Sequence, residues 1–319
     1  MKKYKIAVII VTYNRKNCLA NCIKALFNQT QLPDYVYIID NHSSDDSKEC
    51  IANEGLLSHN EVIVRYIYLD NNTGGAGGFY TGMKMAFDET NCDAFLLMDD
   101  DGIPDSMEIE NLCKHLNEYD YINAFVINKD NHNQMSFKSD IKNRSRYEFE
   151  KRANQEGIVL NHANPFNGSL YSRRLVEKVG FPNPNLFIYG DEVNYQLRIM
   201  EQGFIPVTVI DAVHYHPISK SNTVEVNLIG YKIHIGISNR PLTIYCVWRN
   251  SFYNLRTCKM TLREKFRILL YGVLVLNKYR KISQEAYRIC LQAISDGFKK
   301  DLSKHYEYVG RPNLYIRIS

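Results

Sequence analysis

Four apolar runs in the first hundred residues, Ile6–Val11, Tyr35–Asp40, Val62–Leu69 and Ala94–Met98, alternate with segments of helical period at Arg15–Phe27, Ser44–Asn53 and Gly77–Glu89. Runs this apolar, rich in Ile, Val and Tyr, read as buried strands. Strand and helix in strict turn predict an α/β fold: a mostly parallel sheet with helices on both faces. Each strand ends in polar residues. These are Thr12-Tyr13-Asn14-Arg15, Asp40-Asn41, Asp70-Asn71-Asn72 and Asp99-Asp100-Asp101. They gather on the carboxyl edge of the sheet, where open α/β folds bind ligands.

The acidic triplet carries the most chemistry. Three carboxylates delivered by one greasy strand repel each other unless a cation or hydrogen-bond donors neutralise them. A hard divalent ion, Mg²⁺ or Mn²⁺, shared with a diphosphate would do so. A solvated acidic turn is the plain alternative, since Gly102 and Pro104 follow at once.

Bulk properties exclude more than they name. A 319-residue chain with 45% hydrophobic and 23% charged residues can bury a large core, which excludes general disorder. Its formal charge of +4 includes no long basic block, so no nucleic-acid partner is expected. The eight cysteines form no CxxC pair, which removes zinc-ribbon and thioredoxin-type sites and suits a reduced, cytosolic setting. The N-terminal basic flank and apolar run stop at Thr12-Tyr13-Asn14-Arg15 without a cleavage site, so a first strand is expected there and not a signal peptide. The apolar stretch at 268–276 is too short to span a bilayer.

Further motifs follow. Asp40 at a strand end can accept from a ribose hydroxyl or a base N–H, while Asp45 and Asp46 suit helix caps. Asn72-Thr73-Gly74-Gly75-Ala76-Gly77-Gly78-Phe79 reads as a glycine-rich turn entering a helix, open to a ligand at the backbone or needed for positive φ. Residues 130–161 are polar and read as an excursion outside the core, and Asn164–Ser169 as a loop that closes over a ligand. Asp191-Glu192 opens a helix running to Glu201, where acids suit the dipole or could supply a general base. A strand from Gly203 to Ile210 leads to Asp211-Ala212-Val213-His214-Tyr215-His216, whose histidines could complete a metal site.

In this order the motifs resemble an inverting family two glycosyltransferase of the GT-A fold, most similar to bacterial galactofuranosyl- and rhamnosyltransferases. The resemblance covers about residues 5–217, with a looser match at Tyr245-Cys246-Val247-Trp248-Arg249-Asn250. It implies a Rossmann-like transferase domain over residues 1–238 and a helical, basic and aromatic C-terminal extension over 239–319. Thr12, Tyr13, Asn14, Arg15 and Asp40 would line the nucleotide pocket, joined by Asn72 and Asp100. Gly74, Gly75, Gly77 and Gly78 would floor the donor site. Asp99, Asp101 and His216 would hold Mn²⁺ or Mg²⁺, with His216 favoured over His214. The base is usually the second acid of a Glu-Asp pair. This chain has Asp191-Glu192, which leaves Asp191 and Glu192 both open.

The implied reaction moves galactofuranose, rhamnose or a similar hexose from a UDP- or dTDP-sugar to a hydroxyl of a cell-surface glycan or lipid-linked saccharide. The implied location is cytoplasmic, peripheral on the inner face of the membrane. Basic and aromatic residues after about 239 suit contact with anionic lipid, or equally a solvated helical cap. A homo-oligomer stays open. The competing readings are a nucleotidyltransferase, whose basic glycine-rich loop is not seen after the first strand, and an inactive nucleotide- or carbohydrate-binding module.

Overall fold

The computed structural model describes residues 4–137, 141–218, 223–228 and 231–316. Its contacts divide the chain into two compact units, Met1–Pro184 with Gln202–Ser219, and Asn185–Glu201 with Lys220–Ser319. This division differs from a boundary after residue 238. Residues 185–201 pack with the C-terminal part, and the second unit takes up the chain from 220.

In the first unit the expected alternation is present as β1 (Ile6–Thr12), α1 (Lys16–Phe27), β2 (Tyr35–Asp40), α2 (Ser47–Asn53), β3 (Ile63–Tyr68), α3 (Gly74–Glu89) and β4 (Ala94–Asp99). There follow β5 (Ile103–Pro104), α4 (Glu108–Cys113), β6 (Tyr121–Asn128), α5 (Arg146–Glu150), β7 (Ile158–Leu160), β8 (Ser169–Ser172), α6 (Arg173–Val179) and, after the intervening segment, β9 (Pro206–His216). The sheet runs β3-β2-β1-β4-β8-β6-β9-β5, with β7 beside β9. Strands β3, β2, β1 and β4 are parallel, and β8 enters antiparallel between β4 and β6. The order steps from β1 outward to β3 and then back across β1 to β4. The switch point therefore lies between β1 and β4, the place where open α/β sheets bind ligands. Every residue of β1 is buried, so this strand is the spine of the core.

Three expectations change. The glycines after Asn72 lie inside α3 and not in a turn before it; among Gly74, Gly75, Gly77 and Gly78 only Gly74 has positive φ, at 70°. Gly78, with Gly82 further along, brings the helix onto the sheet. A Cβ on Gly78 would lie 2.6 Å from Val11 Cγ1, and one on Gly82 2.6 Å from Ile9 Cγ2. The polar stretch 130–161 is no loose excursion in its described part. Phe149 on α5 is wholly buried, stacks on Phe125 of β6 with ring centroids 4.8 Å apart, and gathers Ile127, Met135, Ile141 and Val159 into a small core. The loop before β8 is anchored as well. Ser169 Oγ donates to Asn123 Oδ1 at 2.7 Å, and Phe166 is buried against Phe79.

The second unit holds α7 (Asp191–Glu201), a hairpin of β10 (Thr223–Leu228) and β11 (Tyr231–Gly236), and helices α8 (Pro241–Thr257), α9 (Leu262–Ile282) and α10 (Gln284–Lys299). Trp248, Phe252, Val275, Tyr279 and Cys290 share its core. The apolar-basic patterning of 239–319 is thus that of packed amphipathic helices.

Candidate active site

Register explains how distant residues meet. Val11 of β1 pairs with Asp99 of β4, which sets Thr12 beside Asp100, and Thr12 Oγ1 donates to Asp100 Oδ2 at 2.7 Å. Arg15 Nη1 donates to Asp100 Oδ1 at 3.1 Å and to Asp101 Oδ2 at 2.8 Å. After the acids the chain reverses at Gly102, and β5 pairs antiparallel with the end of β9, Ile103 with Tyr215 and Pro104 with His214. The next residue of β9 is His216, whose Nε2 lies 3.2 Å from Asp101 Oδ1. Asp99, Asp101 and His216 thereby offer one ligand atom each within 4.8 Å of one another.

The two histidines part company despite their even spacing. His214 is wholly buried and its Nδ1 lies 2.9 Å from Glu108 Oε2 at the start of α4. Its ring also requires Gly102, because a Cβ there would sit 2.2 Å from Nε2. His216 Nδ1 donates to the Pro217 carbonyl at 2.7 Å in the tautomer that turns Nε2 toward the acids. Across β9 the register against β6 jumps between Ala124–Val209 and Phe125–Val213, so that Ile210, Asp211 and Ala212 form a bulge that re-aims the strand's end.

Electrostatics mark the cluster as over-supplied with negative charge. Burial, reinforced by Asp101 and Asp100 and opposed by His216 and Arg15, pushes Asp99 up to about 7. Burial likewise pushes Asp100 up to about 6, against the hydrogen bonds from Thr12 and Arg15. Burial alone would raise Asp101, but its contacts with His216 and Arg15 hold it below the usual carboxylate range. Burial alone would lower His216, and Asp101 with Asp99 overcomes this and raises it. Two carboxylate oxygens and one imidazole nitrogen, with charge left over, fit Mg²⁺ or Mn²⁺.

Other expected residues take defined places. Tyr13 is 47% exposed at the end of β1, open to a stacking partner. Asn14 is left-handed at φ 53°, and its Oδ1 accepts from Ser44 N at 2.7 Å, which ties the β1 and β2 ends together. Asp40 is 1% exposed, with Oδ1 accepting from Ser43 N at 2.8 Å and Oδ2 from the Tyr66 hydroxyl. In this state Asp40 braces the edge. Asp45 caps α1, accepting from Lys16 N at 3.1 Å, whereas Asp46 precedes α2 without a side-chain cap bond. Asn72 Oδ1 accepts from Gly74 N, and Asn41, which no motif had singled out as a ligand, holds both Thr73 N and the Gly74 carbonyl. Glu108 and Tyr66 were likewise missed; neither has a local signature, since each acts on a partner far along the chain.

In the second unit Asp191 and Glu192 form the first turn of α7. Asp191 is buried at 4% exposure, while Glu192 is half-buried with Oε2 accepting from Gly190 N at 2.8 Å.

A mostly parallel sheet of this order with helices on its faces, edged at the switch point by acids and a histidine, has the GT-A fold, and solved structures agree. A mannosyltransferase from Pyrobaculum calidifontis, in complex with GDP-Man and Mn²⁺, superposes with a TM-score of 0.55 at 15% identity, covering 92% of this chain and 75% of that one. Staphylococcus aureus TarS 1–349 in complex with UDP-GlcNAc gives 0.54 at 15% identity, over 92% and 80%. The family model for glycosyl transferase family 2 matches residues 7–180, and the chain belongs to that family. Galactofuranosyltransferase GlfT1 of Mycobacterium tuberculosis is 30% identical over 253 residues, 77% of this chain and 80% of the relative. The protein is therefore an enzyme, a glycosyltransferase.

Proposed function

We propose that the protein transfers a hexose, galactofuranose foremost and rhamnose next, from a UDP- or dTDP-sugar to a hydroxyl of a cell-surface glycan or lipid-linked saccharide, with inversion. The convergence of Asp99, Asp101 and His216 on one point at the β1/β4 switch carries this reading. The likeness to a galactofuranosyltransferase supports the choice of sugar.

Asp99, Asp101 and His216 would hold Mn²⁺ or Mg²⁺, which when bound neutralises charge on a leaving diphosphate. Thr12 and Arg15 fix Asp100, and Arg15 also holds Asp101, so this ligand carboxylate would be in place before donor arrives. Tyr13 would stack on the base, with Asn14 and Asp40 shaping the wall behind it. Gly74 and Gly75 would leave the start of α3 open to the sugar; nothing lies within 4 Å of a Cβ on Gly75. Gly77 and Gly78 keep α3 close to Thr73 and Val11. Asp191 or Glu192 would take the acceptor's proton as its oxygen attacks the anomeric carbon from the face opposite the leaving group. Half-burial keeps Glu192 open to solvent and favours it.

Helix α9 suits a peripheral place on anionic lipid. Leu262, Phe266, Leu269 and Val273 form an exposed stripe, flanked by Arg263, Arg267, Arg280 and Lys281. No helix among the described residues is long and apolar enough to cross a membrane.

The test is release of nucleoside diphosphate from a panel of UDP-, dTDP- and GDP-sugars with acceptor glycolipid, with and without Mn²⁺, for wild type and Asp101→Ala. Metal-dependent release from one donor, lost in the variant, is expected. No metal-dependent binding of any nucleotide by calorimetry would overturn the reading. Co-sedimentation with anionic but not neutral vesicles, weakened by Phe266→Glu, tests the membrane face.

A further inference from the structure

The turn before Asp191 is held by three buried side chains of α8. Asn250 Nδ2 donates to the carbonyls of Leu186 at 2.9 Å, Ile188 at 3.1 Å and Tyr189. Asn254 Nδ2 donates to the Gly190 carbonyl at 2.9 Å, and its Oδ1 accepts from Asn194 Nδ2 on α7 at 2.9 Å. Arg249 is wholly buried. Its Nη2 donates to the Leu186 carbonyl at 2.6 Å and its Nε to Asn250 Oδ1 at 2.8 Å, which fixes the amide so that its NH₂ faces the turn. Nη1 donates to the Leu302 carbonyl and to His305 Nδ1, and the His305 ring stacks on Phe187 at 4.5 Å.

The backbone so gripped follows an unfavourable path. Phe187, Tyr189 and Gly190 all have left-handed φ, at 66°, 64° and 83°. Two aromatic residues in that region persist only where the surroundings over-determine them. A buried guanidinium and two buried amides directed at the carbonyls of one short turn are such surroundings. Strain held this way immediately before a pair of carboxylates marks a site whose placement matters more than local stability.

We propose that Arg249, Asn250 and Asn254 are positioning residues for proton transfer: they hold Leu186–Gly190 in its left-handed path and so fix where Asp191 and Glu192 emerge. The inference rests on the reading of that pair as the base. It gives the Trp248-Arg249-Asn250 match a task distinct from donor binding, since every contact above lies within the second unit.

The decisive variant is Asn250→Asp, which keeps shape but turns a carboxylate oxygen toward three carbonyls. Asn254→Ser, which keeps a shorter donor, serves if the first does not fold. Amide exchange at 187–192 is expected to rise about tenfold or more while β1 and β4 stay protected. The kcat for transfer is expected to fall by about tenfold or more, with the Kd of the Mn²⁺–nucleoside diphosphate complex changed by less than about twofold. Unchanged exchange in a folded variant overturns the clamp. A loosened turn with wild-type kcat, or a loss of nucleotide binding in step with kcat, overturns the positioning role. Wild-type turnover by both Asp191→Asn and Glu192→Gln would instead remove the base reading, and with it the clamp's purpose, whatever exchange shows.

Discussion

His214 and His216 stand two residues apart on one strand and should fail in opposite ways when removed. Glu108 is wholly buried and its carboxylate receives His214 Nδ1 at 2.9 and 3.2 Å. Burial raises the Glu108 carboxyl and His214 opposes that rise. In His214→Ala the carboxylate keeps its burial and loses its partner, which costs about 3–5 kcal/mol. For a unit of about 200 residues this corresponds to a melting point lower by roughly 6–20 °C. His216→Ala removes a side chain at the edge of the site and should shift the melting point by no more than a few degrees, but should abolish Mn²⁺-dependent nucleotide binding. Calorimetric melting and isothermal titration on both variants, each below its melting point, separate the two roles. Replacing Glu108 and His214 together by leucine should recover most of the lost stability, because the penalty is a buried polar group left without its partner and not lost packing. The reasoning fails if His214→Ala melts within about 2 °C of wild type, or if it is folded yet binds no metal–nucleotide complex.

Burial, with Arg249 adding to it, lowers His305 to about 4, below its ordinary value. The unfolded chain then binds the extra proton between about pH 6.5 and 4, so stability of the second unit should fall on acidification through that window by on the order of 2–3 kcal/mol. Thermal melts across pH should show this slope in wild type and a flatter one in His305→Phe. Phe149→Ala should destabilise the first unit by about 3–5 kcal/mol in urea titration; a cost below about 1 kcal/mol would return residues 130–161 to the status of a loose excursion. Gly82→Val sets a Cβ 2.6 Å from Ile9 and 2.8 Å from Ile39, and should cost about 1–3 kcal/mol by lifting α3 from the sheet.

The sheet's first half was legible because strands buried on both faces leave continuous apolar runs, and β1, β2 and β4 each end within a residue of where polarity begins. The metal-site candidates were legible for a related reason: strand ends place polar residues on one edge. What the pattern concealed was packing by small or polar residues. Gly77 and Gly78 look like part of a ligand loop, yet Gly77 makes room for Thr73, and Gly78, with Gly82 further along α3, lets the helix press on Val11, Ile9 and Ile39. Around Phe149, polar neighbours on a five-residue helix hide a single deep anchor. The pairing of Glu108 with His214 spans 106 residues and is set by the bulge in β9, which no local window contains. The hairpin β10–β11 was missed too, its Thr, Val and Ile alternation lying beside stronger helical signals.

Strand β9 has a consequence for how the protein comes into being. It pairs with β6, β7 and β5, yet in the sequence it follows α7, which belongs to the other unit. During synthesis the chain must emit Asn185–Glu201 before it can supply the strand that finishes the first sheet. Until His216 leaves the ribosome, Asp99 and Asp101 face each other without the imidazole, and β6 presents an open edge to any passing strand. The nascent chain is thus most prone to mispairing while it waits for β9.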